Sequence, residues 1–265
     1  MNVTQPPKPP ATTMPPAPER VALITGGAIR IGKAIVQKLS QTHRVVIHYH
    51  RSEKEGRALL DTLQQNGITA ILQEADLCIP SHCTALIANT IEAFGRLDIL
   101  VNNAGLWCDD SADLMQLARM KSLNLDAPLR LIDAALPHLT TTKGSVVNIS
   151  DVAGISPFRQ SVAYSKTRAA FLAKAQQQVL PLAALGIRIN AICPGTIAFA
   201  PHLDTAARHR ILAGIPLQKT GTPAEVAALV SFLANADFVT GQVIAVDGGR
   251  LSQIAQNERD TGIKK

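Results

Sequence analysis

The sequence predicts an α/β fold: a single domain built on a doubly wound parallel sheet, with helices on both faces. Two observations predict it. Seven short apolar runs recur along the chain, at 21–25, 44–48, 68–73, 99–101, 144–149, 187–192 and 243–246. Longer stretches with helical spacing separate them, at 32–41, 53–65, 82–94, 114–138, 161–185 and 223–234. Strands that are β-branched and apolar throughout belong in a parallel sheet covered by helices. No shift of composition divides residues 19–255, so this region reads as one domain.

The ends differ from this middle. Residues 1–18 hold seven of the chain's sixteen prolines, and are expected to form a disordered, polyproline-type tail. Residues 256–265 are polar and are expected to fray as a flexible C-terminal tail. The N-terminal segment lacks the apolar core of about 7–15 residues that a signal peptide needs. No apolar run approaches the ~18 residues of a membrane span. Cys78, Cys83, Cys108 and Cys193 fit neither a disulfide framework nor a zinc pattern, and the seven histidines suggest no metal site. The expected location is cytoplasmic. A net charge of +6 raises the question of nucleic acid. The basic residues are scattered, however, and an aromatic share of 3% leaves few stacking platforms for bases, so no nucleic-acid partner is expected.

The first strand, 21–25, opens directly into Gly26-Gly27-Ala28-Ile29-Arg30-Ile31-Gly32. A glycine-rich turn between a first strand and a helix brings backbone N–H groups and a helix N-terminus up to a pyrophosphate, as in a Rossmann-type site. The second strand ends in His50, Arg51 and Ser52. A site selective for NADH would place an acid there for the ribose 2′-hydroxyl. The three residues present, with Arg30 across the turn, suit a 2′-phosphate instead, and the expected cofactor is NADPH. After the third strand, Asp76 is placed to accept from an adenine amino group, beside Leu77. After the fourth, Asn103-Ala104-Gly105 forms a small-residue turn where a ribose can approach the sheet.

Taken together, these motifs resemble the short-chain dehydrogenase/reductase family. The matching pieces are the turn 25–32, Ala75-Asp76-Leu77, Asn102–Gly105, Asn124, the segment around Tyr164, and Cys193-Pro194-Gly195, spread over residues 20–251. Within that family the chain is similar to pteridine reductases and bacterial dihydromonapterin reductases. Arg30 stands where most members have a glycine, residues 48–52 read HYHRS, and Asp151 occupies the serine position thirteen residues before Tyr164. The resemblance implies a seven-stranded sheet, commonly a homotetramer, and reduction of a small pterin substrate by hydride transfer from NADPH. It implies cofactor contacts at Pro194 and Gly195, and a catalytic set of Asp151, Tyr164, Arg168 and Asn124.

The residues qualify that picture. A free phenol has a pKa near ~10 and is a poor proton carrier at neutral pH without a nearby cation. The usual cation is a lysine at i+4 from Tyr164; here that position is Arg168, and Lys166 faces away. An ionised Asp151 cannot donate to a carbonyl oxygen but can bind N–H groups and share a proton with Tyr164, which argues for a C=N substrate. Trp107, the only tryptophan, is placed to cover a flat pterin. Two alternatives stay open: a carbonyl reductase or alcohol dehydrogenase acting on another small substrate, or a non-catalytic NADP-binding homologue in which Arg168 is an exposed helix residue.

Overall fold

All seven apolar runs pair into one parallel sheet. In a computed structural model of the chain, described over residues 20–158, 161–199 and 203–253, the strands are β1 (Val21–Ile24), β2 (Arg44–Tyr49), β3 (Ala70–Glu74), β4 (Ile99–Asn102), β5 (Ser145–Ile149), β6 (Arg188–Pro194) and β7 (Val243–Val246). Their order is β3-β2-β1-β4-β5-β6-β7. The tails expected at 1–18 and 256–265 lie outside the described residues.

Alternate strand residues feed two cores. Ala22, Ile24, Val45, Ile47 and Val101 face α1 (Arg30–Leu39), α2 (Glu53–Gln65) and α9 (Pro223–Asn235). Val21, Leu23, Val46, Leu100 and Val146 face α3 (Pro80–Phe94), α5 (Ala127–Thr142) and the pair α6 (Val162–Gln177) and α7 (Val179–Ala184). Burial on both sides explains why the central strands carry no polar alternation.

The helix termini follow local chemistry. Thr222 and Glu225 form a reciprocal capping box at the start of α9. At its other end Arg188, buried in β6, donates to the carbonyls of Leu233 at 2.6 Å and Ala234 at 2.7 Å, which have no partner within the helix. Pro80 opens α3, and Gly95 closes it at φ +71°.

Two helical expectations are corrected, and one helix was not expected. The run 114–138 is not one helix: α4 (Leu114–Lys121) passes through a π-helical turn, Ser122–Asp126, into α5. The wider turn carries Asn124, which is 1% exposed. The run 161–185 divides at Gln178 into α6 and α7. A further helix, α8 (Thr205–Ala213), has no buried residue and therefore no apolar period to betray it; only Asp204, whose carboxylate accepts from the Ala207 N–H, marks its start.

The progression of strand order reverses between β1 and β4, which pair in parallel, and polar groups bind their ends together. The Thr25 hydroxyl accepts from the backbone N–H of Asn103 at 2.9 Å and of Ala104 at 3.0 Å. The Asn103 amide donates to the carbonyls of Thr25 and Gly26 at 2.8 and 3.1 Å. On the other side His48, 2% exposed, ties the same turn to β3: its Nδ1 accepts from the Gly26 N–H and its Nε2–H donates to the Ala75 carbonyl, both at 3.0 Å. Nδ1 can accept only in the neutral ring.

Burial lowers the His48 pKa from 6.5 to about 4. A histidine held neutral in the fold contributes stability that is full above pH 6.5 and is lost as the pH falls toward 4. Between pH 7.5 and 5 the loss due to this ring is expected to be about 2 kcal/mol. Urea unfolding at both pH values, compared with His48→Gln, checks it: the variant should show a smaller difference by that amount, and equal slopes would remove His48 as the cause.

Candidate active site

The C-terminal ends of the strands open into one cleft of about 580 Å³. Six of the seven strand ends, β1 to β6, contribute. The turn after β1 supplies Gly26, Arg30 and Ile31; β2 leads to His50, Arg51 and Ser52; β3 leads to Asp76 and Leu77. The segment after β4 supplies Asn103, Ala104, Gly105 and Trp107, β5 leads to Asp151, and β6 to Pro194 and Gly195. Tyr164 and Arg168 reach in from α6. Asn124, expected in the catalytic set, does not line this cleft. It is buried behind the wall, where its side chain accepts from the Leu106 N–H at 2.8 Å and donates to the Leu106 carbonyl at 2.7 Å.

One end of the cleft is built for anions. Gly26 has φ +61°, and a Cβ on Gly32 would run into the Gly26 carbonyl, so helix α1 can begin only if both positions are glycine. Arg30 adopts φ +50°, a left-handed conformation that costs a non-glycine residue roughly 1–2 kcal/mol. That is the position where a glycine is usual, and the strain is accepted while the guanidinium lines the cleft. Arg51 is exposed at the rim, and no acid stands beside it at the end of β2.

Asp76 is more constrained than its sequence position suggests. Its Oδ1 accepts from the Cys78 N–H at 3.0 Å and its Oδ2 from Arg119 at 2.9 Å, with His50 Nε2 at 3.7 Å. Burial alone would raise its pKa, but the Cys78 N–H and Arg119 outweigh it and hold the carboxyl below the ordinary range. Arg119 comes from α4, 43 residues away, and no local pattern announced it.

At the other end lie the groups that can move a proton. Tyr164 O–H donates to Asp151 Oδ2 at 3.0 Å, while Asp151 Oδ1 accepts from the Ala153 N–H at 2.8 Å. Both carboxylate oxygens are thus oriented. Burial raises the Asp151 pKa, and burial pushes Tyr164 up to about 12 against the pull of Arg168. The neighbouring Ser150 hydroxyl turns away, toward the Arg168 carbonyl at 3.5 Å. Asp151, not Ser150, is therefore the partner of Tyr164.

Arg168 is not an exposed helix residue, as one alternative required. It is 6% exposed, its guanidinium carbon lies 5.1 Å from the Tyr164 ring centroid, and it donates to the Ile149 carbonyl at 3.4 Å. Lys166 is exposed on the opposite side of α6. A Cβ on Gly105 would collide with the Arg168 guanidinium, so the long side chain fits because position 105 is glycine. Cys193 is fully buried, and burial pushes its thiol up to about 12, which suits core packing rather than nucleophilic attack. Two further groups were not legible in the sequence: Phe158, which lines the cleft, and Arg250, stacked on that ring at 5.2 Å and bonded to the Thr196 hydroxyl at 3.0 Å.

Comparison with known proteins agrees with this geometry. The family described as enoyl-(acyl carrier protein) reductase matches residues 27–250. Glucose 1-dehydrogenase 2 of Bacillus subtilis is 34% identical over 242 residues, covering 87% of this chain and 94% of that protein. The 3-oxoacyl-[acyl-carrier-protein] reductase of Synechocystis is 34% identical over 238 residues, covering 87% and 96%. Among solved structures, a blue fluorescent protein from a metagenomic library, in complex with NADPH, superposes with a TM-score of 0.82 at 28% identity, covering 87% of this chain and 97% of that one. On the strand order, the cleft and these matches, the chain belongs to the short-chain dehydrogenase/reductase family of NAD(P)-dependent oxidoreductases.

Proposed function

We propose that the protein is an NADPH-dependent reductase of a flat nitrogen heterocycle of the dihydropterin class. The observation that carries this is the 3.0 Å hydrogen bond from Tyr164 to Asp151. A carboxylate at this point cannot polarise a carbonyl oxygen when ionised, but it can receive N–H groups of a heterocycle and, with its raised pKa, hold a proton for a ring nitrogen. Tyr164 donates to it and can replace that proton. Arg168, against the phenol ring, stabilises negative charge on either member of the pair. Trp107 and Phe158 supply flat apolar surface at this end.

The anion end fits the cofactor. The glycine turn leaves backbone space for a pyrophosphate, and Arg30, Arg51 and Ser52 supply donors for a 2′-phosphate. Bound there, NADPH supplies the hydride. The relatives named for glucose and 3-oxoacyl substrates favour a second reading, reduction or oxidation at a carbonyl or hydroxyl carbon. The Ser150 hydroxyl, turned toward the Arg168 carbonyl, weighs against it. A homotetramer, the usual family assembly, is compatible with exposed Phe232, Phe238 and Val243 on α9 and around β7.

Steady-state NADPH oxidation with dihydrobiopterin, dihydromonapterin, a 3-oxoacyl thioester and glucose-derived lactone separates the readings; turnover confined to the last two would overturn the first. Asp151→Ala is expected to lower kcat for a dihydropterin by about 10²-fold while changing NADPH affinity less than about twofold. Undiminished turnover in that variant would remove the proposed acid.

NADPH is expected to bind about tenfold more tightly than NADH, a difference of about 1.4 kcal/mol. Arg51→Ala should erase most of that preference in a fluorescence titration, and equal affinities in the unmodified protein would contradict the 2′-phosphate site.

A further inference from the structure

The segment between β4 and α4 is fastened to α6 by a residue outside the cleft, Asp110. Its Oδ2 accepts from the Val162 N–H at 2.7 Å and its Oδ1 from the Ala163 N–H at 2.9 Å. These N–H groups lie in the first turn of α6 and have no partner within the helix. The residue that would ordinarily cap them, Ser161, makes no side-chain cap bond. Its hydroxyl accepts instead from the Trp107 indole N–H at 3.3 Å. The helix carrying Tyr164 and Arg168 is thus capped from outside by the Trp107 segment, and its own capping residue is used to hold the indole.

Packing alone does not fix that indole, because Trp107 is 57% exposed. The polar anchors must do so. Asn124 grips the backbone of Leu106, Ser161 takes the indole, and Asp110 closes the segment with two charge-assisted bonds at the positive end of a helix dipole. Asp109 forms a local turn of its own, accepting from the Ser111 N–H at 2.9 Å.

We propose that Asp110 is a positioning residue: it latches the Trp107 segment to the N-terminus of α6 and sets the spacing between the indole and the Tyr164–Asp151 pair. Its consequence for substrate rests on the reading of Trp107 as a wall for a flat heterocycle. The latch itself does not, and it can be measured without substrate, since Trp107 is the sole tryptophan of the chain.

The test uses the full chain with Asp110→Ala and Asp110→Asn. Acrylamide quenching of Trp107 fluorescence should rise about twofold in Asp110→Ala, as expected for loss of a helix cap. Asp110→Asn should fall between, because its amide keeps one acceptor oxygen of two. NADPH affinity and far-ultraviolet circular dichroism should be nearly unchanged, and KM for dihydrobiopterin should rise roughly fivefold with a smaller change in kcat. Quenching in a folded Asp110→Ala equal to that of the unmodified protein would overturn the latch, as would a parallel loss of NADPH affinity and helicity in both variants. Increased quenching with an unchanged KM would uphold the latch and remove Trp107 from the substrate wall.

Discussion

The structure depends on a gap that must be held open between two hydrogen-bonded strands. β1 sends the chain to one face of the sheet and β4 sends it to the other, so their connections diverge and leave a crevice. A crevice lined with backbone polar groups would collapse or admit water if nothing satisfied them. Thr25 and Asn103 satisfy them from within, leaving half-buried Gly26 at the cleft wall beside them. His48 then carries the same restraint sideways to β3, so the turn, the end of β2 and the start of the Asp76 loop behave as one unit.

From that fixed point the cleft grades from cationic to proton-carrying. Backbone amides, Arg30 and Arg51 dominate one end, and Asp76 is neutralised by Arg119 rather than left to repel an anion. At the far end burial, not charge, dominates: both Asp151 and Tyr164 are pushed toward their protonated forms, and Arg168 limits the push. Desolvation that raises a carboxyl's pKa moves it toward the range in which it can serve as an acid. The same burial would be useless for anchoring a phosphate, which is why the two ends are made from different materials.

The strands were readable because burial on two faces forces runs such as 45–47 and 146–147 to be apolar throughout. The line-up of Gly26, Asp76 and Asn103 along one cleft was readable because the strand ends of a parallel sheet share an edge, whereas Asp151 and Tyr164, the latter on α6, were placed there by the family resemblance. What escaped had no local period. The π-helical turn at Ser122–Asp126 interrupts a pattern that looks continuous, since one extra residue shifts the phase without changing composition. Arg119, Asp110 and Arg250 act on partners 43 to 54 positions away, and such pairings exist only once the sheet order is set. Arg168 looked like an isolated departure; its contact with Gly105 shows what makes room for it.

That contact also couples two positions mechanically. A Cβ at 105 would meet the guanidinium end of Arg168, the part of that side chain that rests on the Tyr164 ring. Bulk added at 105 is therefore felt as a displacement of charge beside the phenol, and the effects of changes at 105 and 168 are expected not to add.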